Sequence, residues 1–397
     1  MTKTFWRLGD KELTYIKEAI DTNMKGVMNK RFEEKFAETF GVKYAIGHNC
    51  GTAALHSCVY AADVRRGDEV IVPPLTFASP AFAVLLLGAV PVFADIDPET
   101  FTIDPKEIEK KITKKTKAII TVSLYGLPPD LDPIMKLAEK YNLKVIEDNA
   151  ECYLGKYKGR IAGSIAHMSI FSFERSKILT TGHGGVAITN DDKLAETIRK
   201  HSIMGYATIT SKEGISKATK EMLQNPFFER HHFVSPNYRM AEFIAAAALA
   251  QTERIEEFTS LRKKIGALYA GAVKGCNWIK PQKVPQGYEH AYWTFVFILE
   301  GEEYGISMKE FRETYLKEGG DSFYNAWLPN YLEPALRGIE FPDHKIKYEK
   351  GLCPITELIQ PKIVQLKTNY ETIDVAEQKA EALKRTIQKL EEKYKRR

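Results

Sequence analysis

Lys177 sits in the run Phe171-Ser172-Phe173-Glu174-Arg175-Ser176-Lys177, ahead of the glycine-rich turn Gly182-His183-Gly184-Gly185. Upstream, Asp148 closes the apolar run Val145-Ile146-Glu147-Asp148. A lysine on a turn after a buried strand, with a carboxylate at the end of another strand, meets the two needs of pyridoxal phosphate chemistry. The amine bonds reversibly to an aldehyde carbon, and the acid keeps the pyridine nitrogen protonated. The chain holds 57 lysines and arginines, so the type alone says little and the context of Lys177 must carry the assignment.

Three further pieces stand at strand ends or strand-to-helix turns, where open α/β sheets gather their ligands. Asn49-Cys50-Gly51-Thr52-Ala53-Ala54-Leu55 joins a strand to a helix. It offers a phosphate the free N–H groups and positive dipole of a helix start, or else it is a plain N-cap turn. Phe77, in Pro73-Pro74-Leu75-Thr76-Phe77-Ala78, either lies flat on a pyridine ring or joins the core. Asp148 needs a donor or cation to offset its desolvation; a pyridinium N–H serves, as does capping of the next helix. Glu151 can approach the ring's phenolic oxygen or face solvent, and Ser172 can donate to the phosphate.

The elements that must position these groups alternate between strand and helix. Lys43–Gly47, Glu69–Val72, Val90–Asp95, Lys117–Ser123, Lys144–Asp148, Met168–Phe173 and Gly185–Thr189 read as strands, rich in Val, Ile and Phe. Helical patterns lie between them at Ala53–Ala62, Pro80–Leu87 and Asp132–Tyr141. The alternation predicts an α/β fold with a mostly parallel central sheet sandwiched by helices. Residues 205–232 interrupt it as a polar, partly helical excursion, followed by the wholly apolar Phe243–Ala250, a buried helix or a subunit contact. Beyond 255 the texture changes to charged helices with a few strands, notably Ala291–Leu299, which places a large domain at 1–254 and a smaller C-terminal α/β domain at 255–397. Ala376, Ala380, Leu383, Ile387, Leu390 and Tyr394 form the stripe of a final amphipathic helix.

Composition narrows the class. With 44% hydrophobic and 27% charged residues, the chain reads as an ordinary globular protein, and a net charge of +5 is too mild to argue for nucleic acid. Cys50, Cys58, Cys152, Cys276 and Cys353 are scattered without metal-site spacing, which fits a reducing cytoplasm and predicts neither disulfides nor a metal. The start MTKTFWRLGDKEL carries no apolar stretch, and the longest apolar run, residues 81–94, is broken by Gly88 and Pro91. The expectation is a cytoplasmic protein with no membrane span.

Gly51-Thr52-Ala53-Ala54-Leu55, Val72-Pro73-Pro74-Leu75-Thr76-Phe77, Glu147-Asp148-Asn149-Ala150, Ser172-Phe173 with Lys177, and Asn237-Tyr238-Arg239-Met240 occur in one order. Together they resemble the sugar aminotransferase family of the DegT/StrS type, fold-type-I pyridoxal phosphate enzymes, over about residues 8–255. The resemblance implies that Lys177 is the cofactor-linking lysine and that Asp148 partners the pyridine nitrogen. It places Phe77 on the ring, and Gly51, Thr52, Ala53 and Ser172 around the phosphate. Glu151 falls where the family often has Gln or His, and Asn237 matches an asparagine that reaches the neighbouring subunit's phosphate, implying a homodimer with shared sites. The activity implied is transfer of an amino group from L-glutamate to a nucleotide-linked keto-deoxy sugar in amino sugar biosynthesis, the cofactor alternating between pyridoxal 5′-phosphate and pyridoxamine phosphate. Rival readings on the same fold are a pyridoxamine-dependent sugar dehydratase and a non-catalytic pyridoxal-phosphate-binding regulator.

Three departures from the family pattern matter for the site. His183 stands where a glutamate is common, Ser123 where a histidine often precedes Leu-Tyr-Gly, and the segment between Lys177 and Asn237 is longer than usual. Tyr324, Asn325 and Trp327 either line a sugar pocket or pack the small domain; His183 is a further candidate for substrate contact.

Overall fold

A computed structural model describes residues 6–212 and 218–395; residues 213–217, inside the 205–232 excursion, lie outside it. The chain opens with helices α1 (Asp10–Asp21) and α2 (Val27–Phe40), then alternates: β1 (Tyr44–His48), α3 (Gly51–Ala61), β2 (Glu69–Val72), α4 (Ser79–Leu85) and β3 (Val90–Phe93). It continues through α5 (Pro105–Lys111), β4 (Thr116–Val122), α6 (Leu131–Tyr141), β5 (Lys144–Asp148), β6 (Met168–Ser172), β7 (Gly185–Thr189) and α7 (Asp192–Ser202). These strands form one sheet in the order β1-β7-β6-β5-β4-β2-β3. Pairing is parallel from β3 across to β6, and only β7 runs against its neighbours. Its connection carries no crossover helix: residues 173–184 stay beside the sheet as a hydrogen-bonded loop, which suits an antiparallel return.

Successive side chains of each strand leave on opposite faces. Val70, Ile120, Ile146 and Ile170 therefore join Leu55 and Val59 of α3 and Ile198 of α7 on one side. Ile71, Ile119 and Val145 meet Ile134 and Ala138 of α6 on the other. Further along that second side, Phe171 and Val186 pack against Phe32 and Phe36 of α2 and the alanines of α9 (Glu242–Glu253). The sheet is covered twice over, which is why its strands read as apolar runs without alternation.

The excursion after α7 carries the short helix α8 (Lys220–Gln224) and returns beside its own start: Tyr206 bridges His231, and Ala207 N–H donates to Arg230 at 2.8 Å. After α9 come α10 (Ile255–Val273), β8 (Ile279–Pro281), β9 (Thr294–Leu299), α11 (Met308–Lys317), β10 (Tyr324–Asn325), α12 (Pro354–Ile359), β11 (Ile363–Lys367) and α13 (Ile373–Lys395). The second sheet is antiparallel, in the order β8-β9-β11-β10. Its core joins Phe295 and Phe297 of β9 to Ile265 and Tyr269 of α10 and to Ala376, Leu383, Ile387 and Leu390 of α13. The segment between β10 and α12 crosses back: Tyr331, Leu336 and Cys353 pack into the core of the large sheet. Asp95, just past β3, locks that crossing by accepting from the N–H groups of Ile355 and Thr356 at 2.8 and 3.0 Å. Among the described residues no helix is long and apolar enough to cross a membrane.

Candidate active site

The carboxyl ends of β2, β4, β5 and β6 lie along one edge of the sheet, the side where an α/β sheet forms its ligand crevice, and Phe77, Asp148, Ser172 and Lys177 lie at or just past those ends. Asp148 ends β5, Ser172 ends β6, and Phe77 follows β2. Lys177 lies on the turn between β6 and β7, closed by Phe173 N–H donating to Gly184 and Thr181 N–H donating to Phe173, at 2.9 and 3.0 Å. The guanidinium of Arg7, buried among the elements beneath, donates to the carbonyls of Arg175 and Lys177 and so fixes the backbone on both sides of Ser176.

Lys177 turns inward. Its ammonium Nζ lies 3.1 Å from Glu151 Oε1, and the two side chains are only 13% and 5% exposed. The other oxygen, Oε2, accepts from the N–H of Tyr125 at 2.9 Å, so Glu151 is held from behind. Asp148 is buried beside this pair and accepts from the N–H of Ala150 at 3.0 Å. Burial pushes its carboxyl up to about 6, the Ala150 amide and the Lys177 charge pull down, and the Glu151 carboxylate pushes further up. A carboxylate in that state gains from a cationic N–H donor placed against it.

Helix α3 points its N-terminus, a suitable end for an anion, toward the same edge of the sheet. Cys50 caps it, its Sγ accepting from Ala53 N–H at 3.4 Å. The N–H groups of the first turn, at Gly51 and Thr52, have no intrahelical acceptor. Gly51 is required by close approach: a Cβ there would stand 2.7 Å from the Cβ of Ser172. Ser172 is itself anchored, its carbonyl accepting from Tyr153 OH at 2.6 Å. Thr52 shares a 2.7 Å hydroxyl contact with Ser79 at the start of α4. Phe77 is 58% exposed although Leu75 and Thr76 beside it are buried, so its ring is offered to the crevice. The site therefore fits pyridoxal phosphate on three counts: a helix start that a Cβ would crowd, a buried acid whose carboxyl stays raised despite the nearby Lys177, and a sheltered amine.

The remaining candidates are dispersed. Asn237 accepts from Arg239 Nε at 3.1 Å and lines a cavity of about 640 Å³ with Asn29, Glu33 and Arg199. None of Lys177, Asp148 or Ser172 lines that cavity. His183 is exposed on its turn. Tyr324 is 67% exposed on edge strand β10, while Asn325 binds Arg312 and the Ile363 carbonyl beside the second sheet. Trp327 reaches the crevice instead, edge-on to Phe77 at 6.4 Å and stacked on Tyr125 and Trp293, each at 6.0 Å. Ser123, at the position where a histidine is common, is buried and donates to Asn149 Oδ1 at 2.6 Å.

Sequence reasoning missed Arg7, Tyr125 and Trp293. Arg7 is one basic residue among 57 and nothing in its neighbourhood announces a carbonyl clamp. Trp293 precedes a strand and reads as core; only the structure brings it over Lys177.

A sheltered amine and a buried acid meeting at the mouth of this sheet define the class, an aminotransferase that works with pyridoxal 5′-phosphate. The chain belongs to the DegT/DnrJ/EryC1/StrS aminotransferase family, which it matches over residues 7–381. It is 35% identical over 330 residues to the GDP-perosamine synthase of Escherichia coli O157:H7, covering 82% of this chain and 85% of that protein. The GDP-perosamine synthase of Caulobacter vibrioides is 38% identical over 294 residues, 73% of this chain and 74% of that one. Among solved structures, the aminotransferase from Psychrobacter cryohalolentis superposes with a TM-score of 0.83 at 28% identity, covering 96% of this chain and 98% of its own.

Proposed function

We propose that the enzyme moves the amino group of L-glutamate onto a nucleotide-linked keto-deoxy sugar, with a GDP-linked sugar as the first acceptor to try and GDP-perosamine as its product. The observation that carries the chemistry is Lys177 Nζ held 3.1 Å from Glu151 beside the buried Asp148. The choice of acceptor is supported by the two GDP-perosamine synthases of similar length and sequence.

In this reading Gly51, Thr52 and Ala53 bind the cofactor phosphate through the start of α3 and Ser172 adds its hydroxyl. Phe77 lies against the ring, and Asp148 holds the proton on the pyridine nitrogen. When bound, pyridoxal phosphate supplies the electron sink for a carbanion. Lys177 would hold the aldehyde carbon, and its freed Nζ would carry a proton from the donor α-carbon to the cofactor in the first half and from the cofactor to the former keto carbon of the sugar in the second. Glu151 keeps that amine close by charge attraction, and its carboxylate would face the phenolic oxygen of a bound cofactor. Tyr324, Trp327 and His183 are the candidates for sugar contact expected from the sequence, and Trp327 is the one that meets Phe77.

The reading includes a cytoplasmic homodimer in which Asn237 serves the phosphate of the neighbouring subunit's site. Its position on a cavity apart from its own Lys177 supports that assignment. We divide the chain at 254/255 into cofactor-binding and small domains, with the separate core around Phe295 and Leu383 as support. The dehydratase reading has no observation in its favour, because the linking position keeps a lysine.

The test is a panel of GDP-, UDP- and dTDP-linked keto sugars incubated with glutamate and followed by mass spectrometry for gain of an amine and release of 2-oxoglutarate. Lys177→Ala is run in parallel and is expected to lose both the visible absorbance of bound cofactor and turnover. A Lys177→Ala protein that keeps both ends the assignment of Lys177. Ammonia release without amine transfer would support dehydration instead.

A further inference from the structure

We propose that Trp293 is a positioning residue for Lys177, gripping the lysine turn from the small domain so that the amine stays in place whenever no covalent bond holds it. The indole touches the turn at two points. Its Nε1–H donates to the carbonyl of Ser176 at 2.8 Å, and its ring lies 4.4 Å from Lys177 Nζ. The same ring thus holds the peptide immediately before the lysine and the far end of its side chain.

Trp293 is itself braced. Its carbonyl accepts from the buried Arg262 and from Thr368 Oγ1, both at 2.8 Å. Its ring stacks on Trp327 at an interplanar angle of 10°. Trp293 directly precedes β9, so the brace belongs to the small domain while the lysine belongs to the large one.

The need follows from the chemistry proposed above, on which this inference rests. Lys177 gives up its covalent partner in every half-reaction and must return to the same carbon. A freed lysine regains the rotamer freedom of its flexible four-carbon stem. Glu151 attracts the ammonium but leaves its direction open, since a point charge constrains distance more than angle. The indole face on the second side closes that freedom, because a cation is drawn to the centre of an aromatic quadrupole.

Two variants separate positioning from packing. Trp293→Phe keeps an aromatic face and loses the N–H; Trp293→Leu loses both. The expected result is that W293L lowers kcat about tenfold, the scale of one cation–aromatic contact. KM for glutamate and the visible band of the resting holoenzyme should stay close to wild type. In the glutamate-treated holoenzyme, where the Lys177 amine is free, reductive methylation mapped by peptide mass spectrometry should label Lys177 several-fold faster in W293L than in W293F or wild type. Unchanged kcat or unchanged Lys177 labelling in W293L overturns the proposal, as does an equal loss of kcat and melting temperature in both variants. Failure of the underlying reading is distinct: there the resting band itself would not depend on Lys177.

Discussion

Burial raises the Asp148 carboxyl to about 6 from its ordinary 3.8, and the single Ala150 amide only partly offsets that. A folded-state value above the unfolded one means that Asp148 favours the fold fully below about pH 3.8 and loses that contribution as pH rises through 6. At pH 8 the cofactor-free protein carries an unfavourable contribution of about 3 kcal/mol from this charge, as an upper bound. Asp148→Asn keeps an oxygen for the Ala150 N–H and removes the charge. Cofactor-free Asp148→Asn should therefore melt above cofactor-free wild type at pH 8, with the gap closing towards pH 4 in scanning calorimetry. A gap that does not change with pH would sink the argument. With cofactor the order reverses in function: the variant cannot keep the ring nitrogen protonated, and its turnover should fall by about a hundredfold or more.

At the scale of the element, α3 binds the cofactor in the proposed reading only because its first residue lacks a side chain. Alanine at Gly51 would press its Cβ to 2.7 Å from that of Ser172, whose own place is set by Tyr153. One of the two must move, and overpacking of this kind costs about 1–3 kcal/mol. Gly51→Ala should lower the melting temperature modestly and weaken pyridoxal phosphate binding more than tenfold by absorbance titration, about 1.4 kcal/mol or more. Equal weakening of fold and binding would assign Gly51 to packing alone. The strands feeding this site were legible: Glu69–Val72, Lys144–Asp148 and Gly185–Thr189 coincide with their predicted ranges, because apolar runs bounded by Gly, Pro and Asp leave little choice. The reversed direction of β7 was not legible, since periodicity carries no sense of strand direction.

For the whole molecule, the proposed dimer makes a prediction that no single site can. If Asn237 serves the partner's phosphate, mixing inactive Lys177→Ala with an Asn237→Ala variant that binds cofactor poorly creates mixed dimers with one intact site. Random exchange of subunits should then restore about a quarter of wild-type activity. No recovery after exchange, verified by native mass spectrometry, would place Asn237 in its own subunit's site. Phe227 on the excursion and Val234 just after it, 87% and 99% exposed, are apolar surface that such an interface could cover.

By itself the sequence determined the α/β class and the pair Lys177 and Asp148, because strand ends, a glycine turn and an acid after an apolar run are local patterns. It also set the stripe of α13, whose predicted residues Ala376, Leu383, Ile387 and Leu390 are buried. Tertiary structure alone decided which distant groups meet: Arg7 beneath Lys177, Trp293 and Trp327 at the crevice, and Tyr331 and Cys353 returning to the large core. Arg7 and Trp293 each lie more than a hundred residues from Lys177, and Trp327 lies still further from Phe77. No period or local propensity encodes such a meeting, and an aromatic residue bound for the core looks the same in sequence as one bound for the site.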